Sequence, residues 1–144
     1  MKIVVQRVKE AKVIVNKKIY NEIKQGFLIY VGIGNDDNRE IVDKMVRKVI
    51  NLRIMSDEND KMNLSLAQVN GSILAISQFT LYANTATGNR PSFTDAANHL
   101  KAQALYDYFV GELSKEIETK TGVFGEYMEI ESTNDGPVTI LIDL

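Results

Sequence analysis

The residues best suited to chemistry form one short stretch, Ser77-Gln78-Phe79-Thr80. The residues from Ile73 to Ile76 before it are all apolar and follow a turn glycine, as is typical of a buried strand. Hydroxyl and amide groups at the end of such a strand are held by a rigid element, as a catalytic site requires. The plainer interpretation is that they only mark where the strand leaves the core. We take Ser77, Gln78, Phe79 and Thr80 as the candidate catalytic residues.

The composition excludes several other kinds of site. The chain has no cysteine, which excludes disulfides, thiolate catalysis and thiolate metal sites. Its single histidine, His99, excludes a multi-histidine metal site and any Ser-His-Asp triad that does not use it. Since no acidic residue stands beside His99 to orient it, we expect it to be inert. We expect no metal and no cofactor.

The charge balance bears on the partners. Seventeen Lys and Arg against 19 Asp and Glu give a net charge of −2, which argues against a surface that coats nucleic acid and against a DNA partner. A local basic patch remains compatible with this balance. No apolar run approaches the length of a bilayer span, and the first residues do not form a signal peptide. We therefore expect a cytoplasmic protein without a membrane partner.

Apolar periodicity predicts two amphipathic helices in one domain spanning residues 1–144. The first is expected at about Asp37–Leu52, with Asp37 and Glu40 as a capping box. The second is expected to start at Thr94 or Asp95 and to run to about Ser114. Its predicted core face consists of Leu100, Ala104, Leu105, Tyr108, Phe109 and Leu113, with His99, Gln103 and Tyr106 facing elsewhere.

The remaining pattern predicts seven or eight mostly antiparallel strands, and hence an α+β fold. Gly26 to Gly34 is nearly all apolar and is expected to be a central strand. Its Gly32-Ile33-Gly34 lacks the third glycine of a dinucleotide fingerprint, and acidic residues follow, so we reject a nucleotide-binding loop. The other predicted strands include Lys2–Val8, Ala11–Val15, Lys18–Glu22, Tyr127–Ser132 and Val138–Asp143, the last two joined as a hairpin by Asn134-Asp135-Gly136-Pro137.

Two basic regions are candidate contacts for nucleic acid. The loop from Tyr82 to Phe93 is long for a compact domain and carries Arg90, and such loops are often functional. Lys44, Arg47 and Lys48 lie on the polar face of the first predicted helix, where they either contact phosphates or are simply solvated.

Several motifs together resemble the D-aminoacyl-tRNA deacylase family. Two of them, Ser77-Gln78-Phe79-Thr80-Leu81 and Asn134-Asp135-Gly136-Pro137-Val138-Thr139, look like the paired signatures of that family. The other matching segments are Met1–Val8, Arg90-Pro91-Ser92-Phe93 and Thr121-Gly122-Val123-Phe124-Gly125. The resemblance spans the whole chain, with no departure inside either signature.

The resemblance implies a fold, an activity and a partner. The fold would be a barrel-like body of curved sheets with two main helices packed outside, in a homodimer. The activity would be hydrolysis of the ester that joins a D-amino acid to the 3′ end of tRNA, with glycyl-tRNA as a side substrate and L-aminoacyl-tRNA rejected. Gly136 and Pro137 would form a cis peptide that enters the other subunit's pocket and selects chirality. Arg7, Arg90 and Asn134 are further candidate contacts to substrate or tRNA.

An aminoacyl ester is already activated, so its hydrolysis chiefly needs placement and an oxyanion hole. Main-chain N–H groups around Ser77 to Thr80 would supply donors, Gln78 would orient the substrate, and Phe79 would either wall the pocket or stack on the terminal adenine. Thr80 has no base beside it in sequence, which favours hydrolysis assisted by the substrate's 2′-hydroxyl over attack by Thr80. The rival hypotheses are a non-catalytic module that binds the tRNA 3′ end and an acyl hydrolase with Thr80 as nucleophile.

Overall fold

The computed structural model describes all residues from Met1 to Leu144 and consists of eight strands and two α-helices. In chain order the elements are β1 (Lys2–Val15), β2 (Lys18–Ile23), β3 (Gly26–Gly32), α1 (Arg39–Ile50), β4 (Met55–Ser56), β5 (Met62–Leu64), β6 (Ser72–Ser77), α2 (His99–Leu113), β7 (Thr119–Thr121) and β8 (Glu129–Asp143). No helix is long and apolar enough to cross a membrane.

Six of the strands form one mixed sheet in the order β2-β1-β3-β6-β7, with β8 also paired to β1. The pairs that β1 makes are antiparallel, whereas β3–β6 and β6–β7 are parallel. A parallel pair needs a crossover, and α1 lies within the connection from β3 to β6. The sheet is curved so strongly that its two end strands, β2 and β7, come into contact. Asn21 Nδ2 on β2 donates to the Thr121 carbonyl on β7 at 2.7 Å. The predicted α+β fold with a barrel-like body and two outer helices is confirmed.

The apolar residues of β3 alternate between two clusters. Phe27, Ile29 and Val31 are buried in the larger cluster, which the sheet shares with α1 and α2. Leu28 packs in the smaller cluster, on the other face of the sheet. The strand is thus buried on both faces, as its continuous apolar sequence predicts.

Both helices begin later than predicted. The N-cap of α1 is Asn38, whose side chain accepts a hydrogen bond from Ile41 N at 3.1 Å, so the capping box at Asp37 is wrong. The N-cap of α2 is Asn98, not Thr94 or Asp95. The residues before Asn98 are held in a bridge with the chain after β3, because Asn35 N donates to the Asp95 carbonyl.

The buried face of α2 also differs from the prediction. Leu100 is 80% exposed, whereas Tyr106 is only 4% exposed and its hydroxyl donates to the Ala75 carbonyl at 2.8 Å. The face that packs on the sheet is therefore the one carrying Tyr106 and Phe109.

The predicted C-terminal hairpin is wrong, and the two predicted N-terminal strands are one. β1 is continuous, and β8 runs antiparallel beside it with Gln6 opposite Thr139 and Val8 opposite Asn134. The register break between these pairs leaves Asp135 to Val138 opposite Arg7 alone, so these residues form a bulge rather than a turn. The peptide between Gly136 and Pro137 is cis.

Candidate functional site

The Ser77–Thr80 stretch is held directly on the end of β3. After β6 the chain forms a 3₁₀ turn, Phe79–Tyr82, and Gln78 N donates to the Val31 carbonyl at 2.7 Å. A Cβ atom on Gly32 would lie 3.2 Å from the Gln78 carbonyl oxygen, and one on Gly34 would lie 2.6 Å from the Tyr82 hydroxyl. Gly32 therefore permits a close approach of the Gln78 backbone, and Gly34 leaves room for the Tyr82 ring.

A buried carboxylate fixes the far end of the same 3₁₀ turn. Asp37 is 4% exposed and accepts hydrogen bonds from Gly34 N at 2.6 Å and from the Tyr82 hydroxyl at 3.3 Å. The nitrogen of Met1 lies 2.6 Å from the same carboxylate. Burial, with the charge of Asp37, raises the pKa of Tyr82, so its hydroxyl remains a donor at neutral pH. Asp37 thus holds the 3₁₀ turn against the chain after β3 and does not cap α1.

The principal cavity of the chain opens beside this turn and has a volume of about 640 Å³. Thirteen of its 18 lining residues are hydrophobic, which suits a largely apolar ligand. Ser77, Gln78 and Phe79 belong to the lining, but Thr80 does not. The chain alone therefore forms a cavity against the predicted catalytic stretch.

Aromatic side chains form much of the wall. Phe79 and Phe93 pack edge to face with ring centroids 5.0 Å apart. Phe124 packs against His99 at 5.2 Å and against Tyr106 at 5.6 Å. Burial raises the pKa of Tyr106, which keeps its hydroxyl bonded to the main chain of β6. The rings are thus packed on one another before any ligand binds.

His99 and Tyr106 are two of the lining residues that sequence reasoning missed. We expected His99 to lie on an uninvolved face of α2, yet it is part of the cavity wall. Its spacing with Ala102 and Tyr106, three and then four residues apart, places all three on one helical face. This spacing could have predicted that the three residues share one face of α2. It was missed because the core face of the helix was predicted to lie elsewhere. Phe93 and Phe124, by contrast, lie within two of the family motifs.

The second signature lies elsewhere on the chain. Gly136 and Pro137 are exposed and do not line the cavity. Beneath them Arg7 is only 7% exposed, and its Nη1 donates to the Ile54 carbonyl at 2.8 Å. Its Nε donates to the Asp135 carbonyl at 3.1 Å and lies 3.2 Å from the Asp135 carboxylate. Arg7 thus joins β1, the chain before β4 and the bulge.

The geometry of the chain agrees with its family assignment. The sequence model of the D-Tyr-tRNA(Tyr) deacylase family matches residues 4–143. The chain belongs to this family. It is a hydrolase that acts on D-aminoacyl-tRNA.

Two solved structures share the fold of this deacylase. A protein described as "c-Myc DNA Unwinding Element Binding Protein" is 38% identical, with a TM-score of 0.95 over 100% of this chain and 99% of its own. A "probable eukaryotic D-amino acid tRNA deacylase" is 17% identical, with a TM-score of 0.86 over 99% of this chain and 98% of its own. At that lower identity the similarity concerns the fold alone.

The other predicted contacts of the deacylase are distributed over its surface. Arg90 is exposed in a loop closed by two hydrogen bonds between the main chains of Asn84 and Ser92. Asn134 is exposed directly before the bulge. Lys44 is paired with Glu40 at 2.8 Å, which partly neutralises it. The structure therefore brings together Ser77 to Phe79 in one place, and Arg7 with Asn134 to Pro137 in another.

Proposed function

We propose that this deacylase releases D-amino acids, and glycine, from the 3′ end of tRNA while it rejects L-aminoacyl esters. The observation that carries the proposal is the apolar cavity that ends on Ser77, Gln78 and Phe79. Its volume of about 640 Å³ lies within the range of small-ligand sites and suits one aminoacylated nucleoside. Such a protein removes D-amino acids that were wrongly attached to tRNA.

The chemistry of the proposal uses the start of the 3₁₀ turn. The first N–H groups of a helical turn have no partner within the turn, so those of Phe79 and Thr80 are the candidate oxyanion donors. Gln78 lies in the wall, where it orients the ester. The 2′-hydroxyl of the terminal ribose activates the attacking water, so the substrate supplies the general base.

Thr80 is assigned a positioning role. Its side chain is exposed, and its Oγ1 accepts a hydrogen bond from Gln78 Nε2 at 2.5 Å. A nucleophilic hydroxyl also needs a base that accepts its proton, and Thr80 Oγ1 donates to no base in the chain. The contact with Gln78 supports a threonine that holds the amide in place.

Chirality selection is assigned to Gly136 and Pro137 of a second subunit in a homodimer. Their carbonyls would face the α-carbon of the substrate and exclude an L side chain by steric clash, which requires no affinity for any D side chain. Their absence from the cavity of their own chain supports a contribution in trans. Leu141, further along β8, is 67% exposed and offers apolar surface to a partner.

Contact with tRNA is confined to its single-stranded end in this proposal. Such contact needs few phosphate contacts, for which Arg90 and the α1 side chains Arg47 and Lys48 are the candidates. We therefore expect a shallow dependence of affinity on salt, in keeping with the net charge of −2. We expect no binding to duplex DNA, because a protein with this net charge neutralises few phosphates and releases few counterions.

The deciding experiment is to incubate the purified protein with D-Tyr-tRNA, L-Tyr-tRNA and Gly-tRNA and to measure the free amino acid. We expect rapid loss of the D and glycyl esters and sparing of the L ester. Binding of all three without hydrolysis would favour the 3′-end binding module. Equal hydrolysis of D and L esters, with an acyl group trapped on Thr80 in the mass spectrum, would favour the acyl hydrolase.

A further inference from the structure

Exposed aromatic side chains lie on the rim of the cavity as well as inside it. Tyr127, on the segment just before β8, lines the cavity and is 84% exposed. Phe79 also lines the cavity and is 57% exposed. An exposed aromatic plane on the path of a single-stranded nucleic acid is a stacking surface for bases.

The proposed function places the aminoacylated terminal adenosine in the cavity, whose volume of about 640 Å³ suits one such nucleoside. The nucleotide before it then lies at the mouth. Glu126 is exposed, lines the same mouth and directly precedes Tyr127. Because its carboxylate repels phosphate, the base rather than the backbone of that nucleotide is favoured on this side.

We propose that Tyr127 stacks on the base of the penultimate nucleotide of the tRNA, the cytosine that precedes the terminal adenosine. This contact rests on the proposed function, since it extends the binding of the same substrate. Tyr127 touches no reacting atom in this arrangement and acts only by holding the strand at the mouth of the cavity.

Binding of short RNAs tests the contact without catalysis. The two probes are the oligonucleotide 5′-ACCA-3′ and the same RNA with an abasic penultimate position, with affinities measured by calorimetry. We expect the wild-type protein to prefer the intact RNA by roughly five- to a hundredfold, the usual range for one stacked base. Tyr127→Ala should bind the two RNAs alike, and Tyr127→Phe should keep the preference.

Tyr20→Ala is the matched control, since Tyr20 is 52% exposed and lies on β2 outside the cavity lining. It should keep the wild-type preference. An unchanged preference in Tyr127→Ala, or no preference in the wild-type protein, would overturn the contact.

Kinetics separate this contact from the catalytic proposal. Tyr127→Ala should raise the KM for D-Tyr-tRNA with kcat unchanged, and leave the KM for 3′-D-tyrosyl-adenosine unchanged, because that substrate lacks the penultimate base. An equal rise of KM for both substrates would show that Tyr127 contacts the aminoacyl-adenosine rather than the penultimate base, and a change of oligomeric state would show a role at a subunit interface; either result would overturn the proposal. Hydrolysis of neither substrate by the wild-type protein would refute the proposed function, while the RNA affinities would still decide on Tyr127.

Discussion

The two signature regions are built in opposite ways. The stretch from Ser77 to Phe79 closes a cavity whose walls come from its own chain and whose rings are already packed on one another. The bulge from Asp135 to Val138, in which Gly136 and Pro137 are exposed, lines no part of that cavity and is held from below by Arg7. The first region thus borders a cavity of its own chain, whereas the second projects from the surface outside that cavity.

Each region is held in place by its own set of contacts. Asp37 and the glycines Gly32 and Gly34 fix the turn that bears the candidate catalytic stretch. Arg7 fixes the bulge through the main-chain carbonyl and the carboxylate of Asp135, and its Nη1 is bound to the Ile54 carbonyl. If the two regions meet only across a dimer, variants of each should fail separately and complement one another.

The largest effect is expected from complementation between a blocked cavity and a displaced bulge. Ala102→Trp places an indole in the cavity and should lower D-Tyr-tRNA hydrolysis by roughly a hundredfold or more, because even small misplacement of substrate costs about that much. Gly136→Ala puts a Cβ atom 3.0 Å from Val138 Cγ2 at a residue with φ of +124°, so the bulge shifts and L esters are accepted. The heterodimer, isolated with two affinity tags, should regain selective hydrolysis.

The rate of this heterodimer should be about half that of the wild-type dimer, because one of two symmetric sites is intact. Each homodimer serves as the control and should be either inactive or unselective. A heterodimer that hydrolyses L and D esters alike would show that cavity and bulge act within one chain. Circular dichroism checks that each variant is folded.

Replacement of Arg7 tests how the bulge is held. Arg7→Met keeps the length of the side chain but removes the donors to the Ile54 and Asp135 carbonyls, so the free energy of unfolding should fall by about 2–4 kcal/mol. Discrimination between D and L esters should also fall, with the rate on the D ester little changed. Urea denaturation and the two hydrolysis rates measure these effects.

Lys24→Met is the matched control for Arg7→Met. Lys24 Nζ is 3.4 Å from the Glu10 carboxylate, and both side chains are exposed. An exposed pair of this kind contributes only about 0–1 kcal/mol, and selectivity should not change. Wild-type selectivity in a folded Arg7→Met protein would contradict the holding role of Arg7.

The sequence correctly predicted that the first region follows a buried strand, but it wrongly predicted a hairpin turn at the second region. A local apolar run ends at Ser77, so local pattern sufficed to place the catalytic stretch at a strand end. Asn-Asp-Gly-Pro is ordinary turn chemistry, yet the 14-residue β1 pairs with β8 on both sides of Asp135 to Val138 and makes these residues a bulge. Long-range pairing overrides a local turn signal, and no local pattern reveals it.

The errors at the helix starts have the same cause. Asp37 is a good N-cap residue, but its carboxylate is bound by Gly34 N and the Tyr82 hydroxyl, so Asn38 caps the helix instead. Asp95 is engaged through its main-chain carbonyl, which accepts from Asn35 N and holds this segment outside α2. Tertiary contacts therefore took the Asp37 carboxylate from its helix and kept the backbone at Asp95 out of the second helix.

A smaller effect is expected from crowding the turn that bears the catalytic stretch. Gly34→Ala puts a Cβ atom 2.6 Å from the Tyr82 hydroxyl, so stability should fall by about 1–3 kcal/mol and the KM for D-Tyr-tRNA should rise. The double variant with Tyr82→Ala should lose less than the sum of the two single variants. Thermal unfolding and steady-state kinetics measure the result.

Gly111→Ala is the control for a glycine with free space around it. No atom lies within 4 Å of its added Cβ, and it is in α2, so the change should stabilise the protein by about 0.5–1 kcal/mol. Equal changes in stability for Gly34→Ala and Gly111→Ala would contradict the conclusion that Gly34 is needed for close packing against Tyr82.

The smallest effect is expected at Thr80, although it belongs to the catalytic motif. Thr80→Ala removes one exposed hydroxyl that accepts from Gln78 Nε2, and a hydrogen bond of this kind is worth about 0.5–1.5 kcal/mol. Hydrolysis of D-Tyr-tRNA should therefore fall by only about two- to tenfold in kcat/KM, because the water is activated by the substrate. Thr80→Ser keeps the hydroxyl and should match the wild-type rate. A drop of roughly a thousandfold in Thr80→Ala with binding intact is what loss of a catalytic group produces, and it would make Thr80 the nucleophile after all.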